Sequence, residues 1–323
     1  MKIFCDYQFS PSAQALLAQE AETHRHELIF AQSLSTTNLV AGATDPRIAE
    51  AEIAVGQPDP MAIVTAENLR WVHLTSAGYT RYDTAEFRTA ATTKGVVLTN
   101  SSGVYAEACA EHAFSFMLAQ ARQLPVALRT RTPSGTPLYA QLRNSCSLLR
   151  GQRVVILGYG AIAAHLAAML EPFRCAVVAV RRTRRGDEPV TIVTPDQMVS
   201  ELSVADHVVN ILPENADSRG FVSAQLLAQM KKGAIFYNIG RGATVDQEAL
   251  AQSLQNGQLE AAWLDVTTPE PLPEDHILCK LPNCYITPHT AGGQRNESDA
   301  LVGHFLDNLR RYTAGAPLHD RFV

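Results

Sequence analysis

The chain has 323 residues, of which 46% are hydrophobic and 18% charged, and its formal net charge is −5 at pH 7. This length and composition suit two globular domains with full cores and argue against a disordered or fibrous protein. The acidic balance argues against a nucleic acid or a membrane surface as the main partner. Since the first residues contain no apolar signal core and residues 154–170 are interrupted by glycines and a histidine, we expect a soluble, cytoplasmic protein.

Six cysteines are scattered along the sequence without a C-x-x-C pair or a metal-type spacing. We therefore expect reduced packing residues and no bound metal. Cys109 lies in a predicted helix close to the predicted cofactor site, but no base can be identified beside it. Whether its thiol reacts stays open.

Strands and helices alternate over the first 99 residues. Predicted strands cover residues 2–5, 51–55, 71–74 and 96–100, and predicted helices cover residues 12–20 and 61–69. This alternation predicts a parallel sheet with right-handed crossovers. Two loops follow strands, Gly56-Gln57 and Ser76-Ala77-Gly78. Such loops suit a carboxylate because they present free backbone N–H groups, and tight turns without a binding role are an equal alternative.

The next part of the chain predicts a crossing between domains. A helical pattern runs over residues 104–122, with apolar residues at helical spacing. Residues 130–147 contain Pro, Ser and Gly and have weak periodicity. We interpret them as a connection without an assigned function.

A glycine-rich turn of the form G-x-G-x-x-A follows the strand predicted at residues 153–157 and precedes a helix predicted at residues 162–170. The glycine pattern alone is a weak signal. Together, the strand, the tight turn and the helix N-terminus aim backbone N–H groups and the helix dipole at a pyrophosphate. We therefore predict that a dinucleotide is bound here by Gly158, Tyr159, Gly160, Ala161 and Ile162.

A basic run ends the next predicted strand, residues 175–180, where an acidic residue commonly binds the ribose of NAD. Arginines suit the 2′-phosphate of NADP by charge and by fork geometry, and a solvated basic turn is the alternative interpretation. We predict that Arg181, Arg182 and Thr183 contact the cofactor. NADP is the preferred cofactor and NAD the second choice.

The same winding continues, with strands predicted at residues 207–212, 234–237, 261–264 and 284–287 and helices at residues 224–230 and 247–255. In a doubly wound sheet, ligands bind outside the carboxyl ends of the strands, so residues there are expected to face one crevice. The remaining predicted cofactor contacts are Leu212, Pro213, Ile239, Gly240, Asp265, Ala291 and Gly292. A last helix, residues 297–312, is expected to cross back onto the first domain.

Three residues with catalytic chemistry follow apolar runs in the last third of the chain. Arg241 lies between two glycines, Glu270 lies in a proline-rich segment, and His289 follows Pro288. An arginine, a carboxylate and an imidazole can polarise and protonate a carbonyl group. A lone residue of any of these types is more often structural, so the joint pattern carries the prediction of a catalytic site.

These motifs resemble those of the D-2-hydroxyacid dehydrogenases over essentially the whole chain. The resemblance rests on G-x-G-x-x-A at residue 158, N-I-G-R-G at residues 238–242, L-D-V-T-T-P-E-P-L-P at residues 264–273 and P-H at residues 288–289. The wording of the third motif is similar to that of the glyoxylate and hydroxypyruvate reductase branch. The implied fold is α/β with two doubly wound domains: a Rossmann-type dinucleotide-binding domain, residues 100–290, inserted in a flavodoxin-like substrate domain, residues 1–99 and 291–323.

The resemblance also implies roles for individual residues. Arg241, Glu270 and His289 form the catalytic set, and Asp265 lies near the nicotinamide. The substrate carboxylate is held by residues of two loops together with two catalytic residues: Gly56, Gln57, Ser76, Ala77, Gly78, Arg241 and His289. The protein is expected to be a homodimer joined through the nucleotide domains.

The sequence thus predicts an enzyme that transfers hydride from NADPH, or from NADH, to a small 2-keto acid such as glyoxylate or hydroxypyruvate, giving a D-2-hydroxy acid. Two alternatives stay open: a dinucleotide-sensing binding protein on the same fold, and a reductase of larger 2-keto acids. A relative of formate dehydrogenase is disfavoured because Glu270 stands where glutamine is expected.

Overall fold

The structure is a computed structural model that describes residues 1–38, 40–186 and 188–323. The elements up to residue 121 are β1 (Lys2–Tyr7), α1 (Pro11–Thr23), β2 (Glu27–Ser35), β3 (Ile53–Gly56), α2 (Pro60–Thr65), β4 (Trp71–Leu74), α3 (Ala85–Lys94), β5 (Val97–Thr99) and α4 (Ser102–Ala121). The later elements are α5 (Leu124–Thr130), α6 (Pro137–Ser145), β6 (Arg153–Leu157), α7 (Ala161–Leu170), β7 (Ala176–Val180), β8 (Thr191–Val193), α8 (Met198–Leu202), β9 (His207–Asn210), α9 (Ala224–Gln229), β10 (Ala234–Asn238), α10 (Gln247–Gln255), β11 (Leu259–Leu264), α11 (Ile277–Lys280), β12 (Cys284–Ile286) and α12 (Glu297–Thr313).

The chain divides into two compact units. The first comprises Met1–Tyr105 and Gly293–Val323, and the second comprises Ala106–Gly292. The sequence predicts the two boundaries after residues 99 and 290, and the structure places them after Tyr105 and Gly292. One unit is therefore inserted in the sequence of the other, and helix α4 spans the first boundary.

The first unit is built on a parallel sheet of five strands in the order β2-β1-β3-β4-β5. Ile53 of the central strand pairs with Ile3 on one side and with Trp71 on the other. Helix α12 packs on this sheet, and the fully buried Trp71 stacks on its Phe305 and Tyr312 with ring centroids 5.3 and 5.2 Å apart. Each such buried side chain stabilises the fold by about 1.5–3 kcal/mol.

The second unit is built on a parallel sheet of seven strands in the order β12-β11-β10-β9-β6-β7-β8. The sheet starts at β6, and β7 and β8 are added on one side of it. The chain then crosses to the other side of β6, where β9, β10, β11 and β12 follow in order. Val155 and Leu157 belong to the core on one face, and Val154 and Ile156 to the core on the other. A strand covered on both faces reads as a continuous apolar run, and this explains why the pattern at residues 153–157 predicts β6. The predicted α/β fold with two doubly wound sheets is confirmed.

The structure adds elements that the sequence did not predict. Residues 130–147, interpreted as a connection, contain helix α6, whose N-cap Thr136 accepts a hydrogen bond from the Tyr139 backbone N–H. Strand β2 was missed because it lies at a sheet edge and has only one buried residue, Ala31. The helix predicted at residues 61–69 ends at Thr65, where the chain becomes extended. Within the described ranges, no helix is both long and apolar enough to cross a membrane.

Candidate active site

The predicted site residues of the second unit gather at one edge of its sheet. They follow the carboxyl ends of β6, β7, β9, β10, β11 and β12, at Gly158, Arg181, Leu212, Arg241, Asp265 and His289 respectively. Because all seven strands are parallel, these ends share an edge. The order of the strands reverses between β6 and β9, the point at which open α/β sheets bind ligands.

The glycine-rich turn after β6 fits the pyrophosphate of a dinucleotide. Gly158 has φ +100°, a conformation that favours glycine, and its N–H donates to the Val180 carbonyl at 3.0 Å. Gly160 is the N-cap of α7 and offers no side chain to cap the first N–H groups. A Cβ at Gly160 would meet no described atom within 4 Å. The turn therefore leaves open space and unclaimed helix N–H groups where an anion binds well.

Two arginines of the basic run after β7 form ion pairs with acidic side chains from later in the chain. Arg181 Nη1 lies 3.3 Å from Glu188 Oε1, and Arg182 Nη1 lies 2.6 Å from Asp217 Oδ2. Sequence reasoning found the arginines but missed Glu188, because nothing in its neighbourhood predicts that the loop folds back onto Arg181. Residue 181 is an arginine and not the acidic residue that commonly binds the ribose of NAD. A carboxylate from later in the chain, that of Glu188, nevertheless lies beside it.

Close backbone contacts position the loop that carries Arg241. A Cβ at Gly240 would lie 2.6 Å from the Leu212 carbonyl oxygen, and a Cβ at Gly242 would lie 2.0 Å from the Thr267 carbonyl carbon. Only glycine allows this loop to approach the loops after β9 and β11 so closely. The Arg241 carbonyl accepts hydrogen bonds from Asn238 Nδ2 at 3.2 Å and from Thr244 Oγ1 at 2.6 Å. The backbone of Arg241 is thus fixed from both sides.

His289 and Glu270 form a hydrogen-bonded pair. His289 Nδ1 lies 2.8 Å from Glu270 Oε2, and Glu270 Oε1 accepts the Thr267 N–H at 3.0 Å. The His289 side chain is 26% exposed, so the ring is held yet still accessible. With Nδ1 engaged by the carboxylate, Nε2 is the ring atom left to meet a substrate.

Electrostatics link Arg241 to this pair. Burial raises the pKa of Glu270, but the hydrogen bonds from His289 and Thr267 and the charges of His289 and Arg241 together hold that pKa below its usual range. Glu270 is therefore a carboxylate at neutral and mildly acidic pH. The charges of His289 and Arg241 thus both favour the ionised form of Glu270.

Asp265 anchors the turn that carries His289. Its side chain is 2% exposed and accepts hydrogen bonds from Thr287 Oγ1 at 2.6 Å and from the N–H groups of Thr290 at 2.8 Å and Ala291 at 2.9 Å. The Asp265 carbonyl also accepts the N–H of His289, whose φ of 52° is left-handed. This conformation is uncommon for a residue with a side chain and persists where its surroundings fix it. Asp265 was predicted as a cofactor contact, and the structure shows it holding the histidine turn.

His112 is a further residue of this network that the sequence did not single out. It belongs to α4, and its Nε2 lies 3.2 Å from Thr287 Oγ1 and 3.6 Å from Asp265 Oδ1. Burial lowers the pKa of His112, although the Asp265 charge opposes that effect. In the sequence this histidine is one polar residue in an apolar helix, a pattern that carries no specific signal.

In the predicted substrate loop at Gly56, the backbone and side-chain donors of Gln57 are engaged inside the first unit. The N–H of Gln57 donates to Asp6 Oδ1 at 2.7 Å, and Gln57 Nε2 donates to Thr75 Oγ1 at 3.1 Å. Gln57 is fully buried. The prediction of a free backbone N–H at Gln57 is therefore wrong, because this N–H donates to the buried carboxylate of Asp6. No local pattern indicates this contact, because the two residues lie far apart along the chain.

The second predicted substrate loop is tied to the start of α4. Ser76 Oγ donates to the Gly78 carbonyl at 2.6 Å, and the Ser76 carbonyl accepts the Ser101 N–H at 3.0 Å. The Ala77 carbonyl accepts Asn100 Nδ2 at 2.8 Å. These bonds use the carbonyl groups of the loop and fix its shape within the first unit.

Cys109 is a packing residue in this structure. Burial raises the pKa of its thiol to about 12, so the thiol stays protonated at neutral pH and is a poor nucleophile. Across the described parts of the chain, no group of histidine, cysteine and acidic side chains is arranged to hold a metal ion.

Comparisons with known proteins agree with this geometry. Residues 114–291, more than half of the chain, match the family model described as D-isomer specific 2-hydroxyacid dehydrogenase, NAD binding domain. The glyoxylate reductase/hydroxypyruvate reductase of Mus musculus is 30% identical over 311 residues, which cover 95% of this chain and 94% of that protein.

Solved structures with the same fold include two that cover 100% of this chain. A D-isomer specific 2-hydroxyacid dehydrogenase family protein from Aeromonas salmonicida is 26% identical with a TM-score of 0.77, and 98% of its chain is covered. An NADPH-dependent glyoxylate/hydroxypyruvate reductase from Sinorhizobium meliloti, in complex with NADP and malonate, is 25% identical with a TM-score of 0.74, and 96% of its chain is covered. The chain therefore belongs to the D-isomer specific 2-hydroxyacid dehydrogenases, a family of NAD(P)-dependent oxidoreductases.

Proposed function

We propose that this enzyme reduces a small 2-keto acid, such as glyoxylate or hydroxypyruvate, to the D-2-hydroxy acid, with NADPH as the preferred hydride donor. The observation that carries the proposal is the hydrogen-bonded pair of His289 and Glu270 at the sheet edge, with the Arg241 charge acting on the same carboxylate. The relatives from mouse and Sinorhizobium, both named glyoxylate and hydroxypyruvate reductases, support this substrate class.

Each catalytic residue has a distinct part in the proposed reaction. The Arg241 fork binds the substrate carboxylate and polarises the keto oxygen. His289 gives that oxygen a proton from Nε2, while Glu270 fixes the ring and favours its protonated form. The nicotinamide cofactor, when bound, supplies the hydride. The loop at residues 76–78 stays the proposed carboxylate contact of the first unit, and Gln57 is withdrawn from that role because its N–H is already bound by Asp6.

The cofactor is proposed to bind along the carboxyl edge of the seven-stranded sheet. The pyrophosphate contacts the turn at residues 158–162, and the nicotinamide half contacts residues that follow β9, β10 and β12. Arg181, Arg182 and Thr183 contact the 2′-phosphate, which favours NADPH over NADH. The Sinorhizobium reductase, which is NADPH-dependent and was solved with NADP bound, supports this preference.

A homodimer is proposed on the basis of exposed leucines in the second unit. Helices α5 and α6 contain no buried residue, and Leu124, Leu128, Leu138 and Leu148 are all exposed, Leu128 to 72%. Several exposed large apolar side chains within residues 124–148 are typical of a segment that a protein partner covers, and we assign this segment to contact with a second copy of the chain. Sedimentation of the wild type and of Leu128→Asp tests the assignment: a shift of the variant towards monomer supports it.

The experiment that tests the proposed function is a panel of 2-keto acids assayed by the loss of NADPH absorbance. Glyoxylate or hydroxypyruvate is expected to give a higher kcat/KM than phenylpyruvate. A preference for phenylpyruvate would assign the enzyme to larger keto acids. Absence of turnover with every member would favour the dinucleotide-sensing alternative. The cytoplasmic location stays a prediction, and cell fractionation checks it.

A further inference from the structure

A carboxylate of the chain itself lies against Arg181 at the end of β7. Glu188 Oε1 is 3.3 Å from Arg181 Nη1 and also accepts the Arg185 N–H at 2.9 Å, while its Oε2 accepts the Gly186 N–H at 2.8 Å. The side chain of Glu188 is 6% exposed. One guanidinium and two successive backbone N–H groups therefore converge on one buried carboxylate.

These three donors form a set that also suits a phosphate. Successive backbone N–H groups around a residue with positive φ make an anion-binding concavity, and Gly186 has φ +90°. A guanidinium adds a charge-assisted hydrogen bond to such a site. In the structure the concavity is filled by Glu188, so the anion that it holds comes from the protein.

The other arginines of the basic run are held more loosely. Arg182 pairs with Asp217, but both side chains are 74% exposed, and exposed pairs of this kind contribute about 0–1 kcal/mol. Arg184 donates to the side-chain oxygen of Gln197, a neutral partner. The Arg181 pair differs from both because its carboxylate is buried and is bound by backbone N–H groups as well.

We propose that Glu188 is an internal anion that occupies the position of the cofactor's 2′-phosphate and thereby sets how strongly the enzyme prefers NADPH over NADH. This inference rests on the proposed function, which assigns Arg181 to that phosphate. The Glu188 carboxylate and the 2′-phosphate compete for the same hydrogen-bond donors and repel each other. The phosphate therefore binds either after Glu188 has moved away or more weakly because the charge of Glu188 is still there. NADH carries a hydroxyl group there and does not meet this repulsion.

The charge of Glu188 persists over the pH range of an enzyme assay. Its hydrogen bonds from the N–H groups of Arg185 and Gly186, with the charge of Arg181, hold its pKa below the usual range. Protonation therefore does not relieve the competition. Removal of the carboxylate by mutation does.

The test compares Glu188→Gln with the wild type by calorimetry, with adenosine 2′,5′-bisphosphate and adenosine 5′-monophosphate as probes. The variant keeps the shape of the side chain and loses its charge. The dissociation constant of the bisphosphate is expected to fall about tenfold, the size of one charge-assisted contact. That of the monophosphate is expected to change less than about twofold because this probe lacks the 2′-phosphate.

Two further variants keep the test decisive. Glu188→Ala removes the carboxylate without adding an amide to the donor set, and it must shift the bisphosphate constant in the same direction. Glu201→Gln is the matched control because it removes a charge from the partner of Arg153, an arginine at the start of β6 that has no part in the proposed cofactor site. An equal gain in Glu201→Gln would overturn the proposal, since the effect would then come from net charge.

A double-mutant cycle localises the effect. In an Arg181→Ala background, Glu188→Gln is expected to lose most of its gain, because the shared donor is absent. Unchanged bisphosphate binding in Glu188→Gln, or weaker binding of both probes, would show that Glu188 only braces the loop and would overturn the inference. If the wild type prefers NADH while Glu188→Gln still binds the bisphosphate more tightly, the inference stands and the proposed NADPH preference fails.

Discussion

Two loops of the molecule follow strands of parallel sheets and use the same backbone device. The loop at Gly56 in the first unit and the loop at Gly242 in the second each contain a glycine pressed against a neighbour. A Cβ at Gly56 would lie 1.8 Å from Asp6 Oδ1, and a Cβ at Gly242 would lie 2.0 Å from the Thr267 carbonyl carbon. In both cases the glycine allows a contact that no other residue permits.

The two loops differ in how many hydrogen-bond donors remain for a ligand. Gln57 is fully buried, and both its N–H and its side-chain amide donate within the unit. Among the described residues the Arg241 guanidinium donates to one acceptor, the Gly240 carbonyl at 2.7 Å, and most of its five N–H donors remain. A glycine at a close contact thus shows where loops pack. Whether the loop binds a ligand depends on which donors the scaffold has already used.

The largest expected effect on activity comes from Arg241, because most of its N–H donors remain for a ligand. Arg241→Lys should lower kcat/KM for the keto acid roughly a hundredfold, because a point charge cannot engage a carboxylate and a carbonyl as a fork does. The loss should appear in both KM and kcat. Arg219→Lys is the control, since Arg219 is exposed and pairs with Glu214. Wild-type kinetics in Arg241→Lys would make Arg241 a structural residue.

A substitution at Gly56 should lower the free energy of unfolding of the first unit. Gly56 has φ +135°, so Gly56→Ala combines a strained backbone with a clash against Asp6, and we expect a loss of about 3 kcal/mol or more. Gly95→Ala is matched to it: Gly95 also has a positive φ, 74°, but a Cβ there meets nothing within 4 Å. That control should cost about 1 kcal/mol.

Fluorescence can assign this loss to one unit. The chain has two tryptophans, Trp71 in the first unit and Trp263 in the second. Urea unfolding is therefore followed in a Trp263→Phe background, where Trp71 reports the first unit alone. Equal losses for the two glycine variants would show that the contact with Asp6 is unimportant.

The carboxylate that takes the Gln57 N–H should make the first unit sensitive to pH. Burial raises the pKa of Asp6 to about 6 from its ordinary 3.8. Between these values the unfolded chain releases the proton while the folded chain keeps it, so stability falls as pH rises from about 4 to 6. The total is about 3 kcal/mol at most. Asp6→Asn should flatten this slope of the Trp71 transition, and an unchanged slope would exclude Asp6 as its source.

The smallest effect concerns the pair in the second unit. Glu270→Gln keeps the loop shape and removes a negative charge beside the proposed proton donor, so the alkaline limb of the pH profile for reduction should move to lower pH. The pKa of Glu270 lies below its usual range, so its own pairing is present at neutral pH and is lost as pH falls through that depressed value. A superimposable profile would remove Glu270 from the proposed mechanism.

Local patterns were enough to predict much of the second unit. The branched strand before Gly158 and the glycines around Arg241 constrain their own neighbourhoods, and parallel strands then bring the following residues to one edge. The three proposed catalytic residues could be placed at this edge from the sequence because each follows an apolar run that forms a strand. The turn of His289 also depends on Asp265, which follows the end of the adjacent strand β11.

Contacts between distant or irregular segments could not be predicted. Asp6 and Gln57 meet only because β1 and β3 are neighbours in the sheet. Glu188 reaches Arg181 through the shape of a loop, and loop shape is not encoded in hydrophobic periodicity. Helix α6 was missed because none of its residues is buried, so its pattern does not mark a core-facing side.

The most direct test of the proposed site is the kcat/KM of His289→Ala with NADPH and the best keto acid of the panel. We predict a loss of roughly a hundredfold to ten-thousandfold, the range for a general acid, with NADPH affinity within about twofold of the wild type. His165→Ala, an exposed histidine on α7, should retain wild-type kinetics. Near-normal turnover in His289→Ala would contradict the assignment of His289 as the proton donor and with it the proposed mechanism.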